Sequence, residues 1–212
     1  MKVVGIIDFG LGNIFSVMQA FKSEGFETKL VKSLADTDGI MGLVLPGVGA
    51  FGQAMSELKT QGLDTVIKDW VRADKPLLGI CLGLQLLFDE SEEFGSHKGL
   101  GLVSGKVVKF PADFIPKGVR IPHMGWSTTN FAKKHIALDG IEDKSDMYYV
   151  HSYYVVPTDA SVELTWTEYG GVRYTSSVVK DNIWAFQFHP EKSAAAGLHI
   201  YKNWLKKIQQ GI

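Results

Sequence analysis

The chain has one cysteine, Cys81, and the residues around it could make it a nucleophile. Pro76-Leu77-Leu78-Gly79-Ile80-Cys81-Leu82-Gly83-Leu84-Gln85 reads as an apolar strand, a sharp turn and the start of a helix. The core Gly79-x-Cys81-x-Gly83 is the thiol version of a nucleophile elbow. A nucleophile raised on a tight, strained turn needs close neighbours without side chains, which glycine supplies. A helix N-terminus just beyond the turn favours a negative sulfur. The competing reading is a small buried hydrophobe at a βα turn. A lone cysteine excludes an intramolecular disulfide and a multi-cysteine zinc site.

A thiol acting on a carbonyl needs a base or ion-pair partner, normally histidine, and often an acid to orient it. Asn182-Ile183-Trp184-Ala185-Phe186-Gln187-Phe188-His189-Pro190-Glu191 reads as a strand that runs into a turn. His189 and Glu191 are two apart, so in extended chain they share a face. Pro190 favours extension at His189 and stops the strand. The competing reading is a solvated surface turn.

The first half alternates strands and helices. Val3–Asp8 is an apolar run, longer signal-peptide features are missing, and Ile14, Val17, Met18 and Phe21 mark one helical face. Asn13 and Gly25 are the candidate caps of that helix. Thr28–Val31 and Ile40–Leu45 read as strands, the second closed by Pro46-Gly47. A helix buries Leu63, Val66, Ile67, Trp70 and Val71, and another begins over Leu84–Asp89. Alternation of this kind implies a parallel sheet covered on both faces, with chemistry beyond the carboxyl ends of its strands. Gly105–Phe110, Tyr148–Val156, Val162–Tyr169, Arg173–Lys180 and Asn182–Phe188 add strands with few helices between them. They point to antiparallel additions to the sheet and a small side sheet. A last helix starts near Ser193 with Leu198, Tyr201, Leu205 and Ile208 inward. Without repeats or a long linker, residues 1–212 read as a single domain.

A formal charge of −1 leaves no electrostatic footprint for nucleic acid or an anionic membrane. No apolar run approaches the roughly 20 residues that a transmembrane helix requires. The expected location is cytoplasmic.

Gly-Ile-Cys-Leu-Gly-Leu-Gln around Cys81, followed by His-Pro-Glu, resembles the class I (triad) glutamine amidotransferases. Asp8-Phe9-Gly10-Leu11-Gly12-Asn13, Ile121-Pro122-His123-Met124-Gly125-Trp126 and His189-Pro190-Glu191-Lys192-Ser193 narrow the likeness to the glutaminase subunits of imidazole glycerol phosphate synthases, over essentially the whole chain. The resemblance implies a flavodoxin-like α/β fold, a mainly parallel central sheet flanked by helices. It implies a catalytic triad of Cys81, His189 and Glu191, with oxyanion donors at Gly49 and Leu82. Gly47-Val48-Gly49 matches the family's oxyanion strand, and glycines there make alternative backbone orientations cheap. Gln85 and Glu93 match residues that hold the α-amino and carboxylate ends of L-glutamine, while His151, Ser152 and Tyr153 match a strand whose backbone touches substrate. Asn13, Met124, Trp126 and Lys192 match positions that face a cyclase subunit in a heterodimer. No metal or organic cofactor is implied. Phe9 stands where the family often has Tyr, and Ser127 where Asn is usual, which leaves any role of the Ser127 side chain open. A paralogous subunit feeding amidation of surface sugars, or a non-catalytic regulatory subunit, are the alternative functions.

Overall fold

The structure, a computed structural model, describes residues 2–111 and 118–210. Its first half runs β1 (Val3–Ile7), α1 (Ile14–Ser23), β2 (Glu27–Val31), β3 (Gly42–Gly47), α2 (Phe51–Thr60), α3 (Leu63–Arg72), β4 (Leu77–Cys81) and α4 (Leu82–Leu86). Its second half is richer in strands: β5 (Phe88–Ser91), β6 (His97–Lys98), β7 (Val103–Lys109), β8 (His123–Phe131), β9 (Asp146–His151), β10 (Tyr153–Pro157), β11 (Glu163–Tyr169), β12 (Val172–Lys180) and β13 (Ile183–Phe186). The helix α5 (Ala194–Gln210) closes the described chain.

The sheet runs in the order β2-β1-β3-β4-β13-β12-β10-β7-β5-β6. Its first five strands are mutually parallel. From β12 onward antiparallel pairs dominate, with β7 and β5 again parallel. A branch continues from β12 through β11 and β8 to β9. This is the α/β fold expected, with the antiparallel additions joined to the main sheet.

Parallel strands covered on both faces must be apolar on both, and β3 and β4 are buried at every position. One apolar cluster lies under α2 and α3 and includes Leu43, Leu45, Phe51, Leu58, Ile67 and Trp70. The other lies under α1 and α5 and includes Val4, Ile6, Phe21, Tyr201 and Trp204. Alternate residues of β1 serve the two clusters, as the two-residue period of a strand requires.

Several elements differ from the sequence pattern. Of Leu84–Asp89 only Leu84–Leu86 is helical: α4 stops at Leu86, and Phe88 begins a strand. Pairing of β5 with β7 and β6 overrides local helix propensity there. Tyr148–Val156 is two strands broken at Ser152, so β9 and β10 belong to different parts of the sheet. The strand placed at Ile40–Leu45 starts at Gly42 and includes Pro46 and Gly47. Of the inward residues named for α5, Tyr201, Leu205 and Ile208 are buried and Leu198 is only partly so. Both α2 and β8 lack a counterpart in the sequence pattern.

Candidate active site

Register brings the site together. In the parallel trio β3-β4-β13, Gly47 pairs with Cys81, and Ile80 pairs with Phe186. The carboxyl ends of the three strands therefore emerge side by side. The first delivers Gly47–Gly49, the second Cys81 and the third His189.

Cys81 is at once the last residue of β4 and the cap of α4, with φ 54° and ψ −111°. A non-glycine residue held there stores about 1–3 kcal/mol of strain. The turn closes tightly because Gly83 lies against the carbonyl oxygen of Leu45, where any Cβ would collide. The elbow read from the sequence is thus present. The Leu82 N–H is the first of α4, one of the helix donors that have no partner within the helix. Gly49 adopts φ 97°, open to glycine at little cost, and Val48 beside it is exposed.

His189 Nδ1 lies 2.8 Å from Glu191 Oε1, and the two side chains are 3% and 2% exposed. The chain does not stay extended here, contrary to the sequence expectation. Pro190–Lys192 forms a 3-10 turn that swings the carboxylate behind the ring. The other Glu191 oxygen accepts from the Tyr201 hydroxyl at 3.3 Å. Ser193 Oγ donates to the His189 carbonyl at 2.7 Å and accepts from the Tyr148 N–H at 2.9 Å, which ties the turn to β9. Burial disfavours a charged imidazole, but Cys81 and Glu191 outweigh it and push His189 up to about 10. Nε2 of His189 is buried and makes no hydrogen bond within the chain. Cys81 and Glu191 together make the site favour an imidazolium beside the sulfur.

Cys81 opens into a cleft of about 310 Å³ lined by Val48, Gly49, Leu82, Gln85, Glu93, Pro122, Val150, His151, Ser152, Tyr153 and His189. Nearly every substrate residue expected from the sequence is here. Gly47 is the exception: it is buried at the end of β3, with Leu82 Cβ within 3.1 Å of the place its own Cβ would take. Glu93 Oε2 accepts from the Phe51 N–H at 2.6 Å, so a carboxylate caps α2 and faces the cleft. Gln85 Nε2 donates to the Tyr153 carbonyl at 3.0 Å and to Gln187 Oε1 at 3.0 Å. Among the described residues, no group of three His, Cys, Asp or Glu converges as metal ligands.

Asn13, Met124, Trp126 and Lys192 lie outside the cleft. Met124 is 62% exposed and Trp126 54%. Trp126 meets Tyr148 edge to face, and Lys192 Nζ sits 5.8 Å from the same ring. Asn13 occupies the cap position of α1, but its side chain accepts from Ser16 Oγ at 3.0 Å and makes no bond to the helix backbone. Ser127 gains a definite contact, 2.8 Å from His123 Nε2.

The sequence reading missed Gln187. It is fully buried, and its Nε2 lies 3.9 Å from Cys81 Sγ, with the Val150 carbonyl 3.9 Å away on another side. A polar amide inside the apolar run before His189 was the available signal.

The Glutamine amidotransferase class-I family matches residues 5–208. The chain belongs to the class-I glutamine amidotransferases. Among amidotransferase relatives it is 46% identical over 208 residues to the imidazole glycerol phosphate synthase subunit HisH of Aquifex aeolicus, covering 97% of each chain. It is 43% identical to the subunit of that name in Desulfitobacterium hafniense, covering 98% of this chain and 96% of the relative. The same amidotransferase fold appears in a glutamine amidotransferase crystal structure (TM-score 0.75, 18% identity, 98% and 100% coverage). It appears again in PurLQS from Thermotoga maritima (TM-score 0.75, 16% identity, 98% and 99% coverage).

Proposed function

We propose that the chain is the glutaminase subunit of an imidazole glycerol phosphate synthase, with Cys81, His189 and Glu191 as its triad. The observation that carries this reading is the strained thiol at the floor of a polar cleft, beside a buried, charged imidazole braced by a carboxylate. Family membership and the HisH relatives support the pathway.

The chemistry follows from the arrangement. The Cys81 sulfur attacks the side-chain amide carbon of L-glutamine, and the carbonyl π electrons move onto oxygen. The Leu82 and Gly49 N–H groups stabilise that oxyanion, and loss of one such donor typically costs about 100- to 1,000-fold. Glycine at 49 lets the peptide turn an N–H or a carbonyl toward the oxyanion, so docking of a partner can switch the rate. As the C–N bond breaks, His189 gives its proton to the departing ammonia and leaves a thioester on Cys81. His189 then takes a proton from water, which attacks the thioester and releases glutamate. Glu93, held by the Phe51 N–H, accepts from the substrate ammonium. Gln85 spends both Nε2 hydrogens on protein acceptors, so it offers the substrate an acceptor oxygen.

Ammonia passes to a cyclase subunit, which docks on the face carrying Asn13, Met124, Trp126 and Lys192 to form a heterodimer. There it enters imidazole glycerol phosphate in histidine synthesis. An exposed Trp packed beside Tyr fits the aromatic enrichment of interface hot spots. Residues 1–212 act as one amidotransferase domain, and a catalytic free thiol suits the reducing cytoplasm. No helix of the described chain is long and apolar enough to cross a membrane.

The test is glutamate release by the chain alone, with the co-purified cyclase, and with cyclase plus its nucleotide substrate. Turnover should rise across the series and vanish in Cys81→Ala without loss of complex formation. Hydrolysis by Cys81→Ala near the wild-type rate would overturn the mechanism.

A further inference from the structure

The oxyanion segment Gly47–Ala50 is held differently at its two ends. At its start, Gly47 pairs with Cys81 and is fixed in the sheet. At its end, only Ala50 separates Gly49 from the first turn of α2. Ala50 stands at the cap position with no side chain that could accept from the helix, and the first turn holds no acidic residue. A helix start of this kind leaves its backbone N–H groups without partners in the helix. Glu93 supplies an acceptor from 42 residues away, taking the Phe51 N–H on Oε2 at 2.6 Å.

Glu93 is itself firmly placed. It lies in the loop between β5 and β6, two strands that pair Ser91 with His97. Its N–H donates to the buried Ser91 Oγ at 3.2 Å. Glu92 beside it binds β7 twice. Its N–H donates to the Val107 carbonyl at 3.2 Å, and its Oε1 accepts from the Lys109 N–H at 2.7 Å. A second contact runs the same way. Three atoms of the His97 ring lie within 2.8 Å of the place where a Cβ on Gly52 would stand, so β6 packs directly on the first turn of α2. One hairpin of the sheet therefore holds the helix start at two neighbouring residues, Phe51 and Gly52.

The same carboxylate faces the cleft with Val48, Gly49 and Cys81. A carboxylate has about four acceptor sites, so Glu93 can hold the Phe51 N–H and a substrate ammonium together. The α-end of glutamine and the peptide that stabilises its oxyanion are then both referred to one group. Gly49, with φ 97°, is the free joint between them. With the far end of the segment untied, its peptide turns a carbonyl toward the oxyanion more easily.

We propose that Glu93 is a positioning residue for the oxyanion segment as well as an acceptor for the substrate. By tying the Phe51 N–H it fixes the end against which the Gly49 peptide turns, and so it raises kcat and not only affinity. The proposal rests on the glutaminase reading of the cleft.

Two variants separate the two roles. Glu93→Gln loses the charge but keeps an oxygen for the Phe51 N–H. Glu93→Leu keeps similar bulk and loses the acceptor. In the complex with the cyclase and its nucleotide substrate, Glu93→Gln should raise KM for glutamine by about tenfold or more, the scale of a hydrogen bond to a charged group. Glu93→Leu should have a kcat about 10- to 100-fold below that of Glu93→Gln, up to the worth of one oxyanion donor. A second substrate, p-nitrophenyl acetate, has no ammonium and so removes the substrate contact. Its Cys81-dependent cleavage, measured above that of Cys81→Ala, should be about tenfold slower in Glu93→Leu than in Glu93→Gln. In ¹H–¹⁵N spectra of the full chain, the Phe51 amide proton should lie far downfield, as a short bond to a carboxylate requires, and move upfield in Glu93→Gln. Equal kcat values in the two variants, or equal ester cleavage, overturn the proposal. So does a Phe51 amide unmoved by Glu93→Gln, even if Glu93→Leu fails to fold. A wild-type complex that cleaves the ester through Cys81 and never releases ammonia from glutamine would instead refute the glutaminase reading, while the ester rates still decide the role of Glu93.

Discussion

Replacing Glu191 by Gln isolates the charge of the triad from its shape. A glutamine keeps one oxygen to accept from His189 Nδ1–H and can turn its NH2 to the Tyr201 hydroxyl oxygen, so both contacts of the native carboxylate survive in kind. What disappears is a negative charge 2.8 Å from an imidazole, with both side chains under 4% exposed. A hydrogen bond to a charged group contributes about 1.5–3 kcal/mol, roughly twice the neutral bond that replaces it. The difference, about 0.75–1.5 kcal/mol at 1.36 kcal/mol per unit, lowers the proton affinity of His189 by about half to one pKa unit. The sign is fixed, because removing an anion beside an imidazolium makes the proton easier to lose. In the wild type His189 is raised to about 10, so its acid function fails only at the alkaline extreme. In Glu191→Gln the alkaline limb of kcat should move down to about pH 9–9.5.

The assay is glutamate release by the cyclase complex across pH 6–10.5. At pH 7, where His189 stays protonated in both proteins, the variant should lose no more than about tenfold. At pH 9.5 the deficit should be about two- to threefold larger. A deficit that is the same at every pH would show that Glu191 acts through shape alone. An alkaline limb displaced upward would refute the electrostatic account altogether.

Gly83→Ala should destabilise the fold by about 3 kcal/mol or more in urea unfolding, because its Cβ meets a backbone oxygen of β3 and no side chain can move aside. His123 and His151 refuse protons that the unfolded chain accepts, so each costs about 1.4 kcal/mol of stability as pH falls from 7.5 to 5.5. The shift of His189 is opposite: its contribution is complete below the unfolded value of 6.5 and is lost as pH climbs through about 10. It therefore returns about as much as one of the other two removes, and urea midpoints at pH 7.5 and 5.5 should give a net loss near 1.4 kcal/mol from these three groups, absent if the buried histidines titrate normally. Trp126→Ala should weaken cyclase binding by about 2 kcal/mol in calorimetry while leaving Cys81 alkylation in the free chain unchanged.

The chemistry was legible in the sequence wherever it sat in a local pattern. Gly79-Ile80-Cys81-Leu82-Gly83 carries its own strand, turn and helix, so its geometry follows from neighbours a few residues away. Long-range partners were not legible. α2 presents Phe51, Ala54, Met55 and Leu58 at helical spacing, but Ala50 before it is no polar cap; the cap is Glu93, whose carboxylate arrives from elsewhere in the chain. Phe88–Ser91 has little strand character of its own and is a strand because β7 is beside it. Gln187 follows no period at all. Its place beside Cys81 comes with a hydrogen bond to Gln85, far away in the sequence, which only the folded chain assembles.

One strand joins the separate parts of the candidate site. Along β9, Tyr148 lies under Trp126 and Lys192 on the outer face, and its carbonyl accepts from the His189 N–H at 2.9 Å. Its N–H donates to Ser193 Oγ, which braces the turn that carries His189. Tyr149 is buried in the core against His123. The Val150 carbonyl faces the Cys81 sulfur, and His151 ends the strand in the cleft wall. A strand paired along its length to β8 moves as a unit, because close-packed interiors transmit displacement instead of absorbing it. Pressure on Tyr148 from a partner docked there, as proposed, would therefore reach His189, the Cys81 sulfur and the cleft wall together, all through four residues of β9.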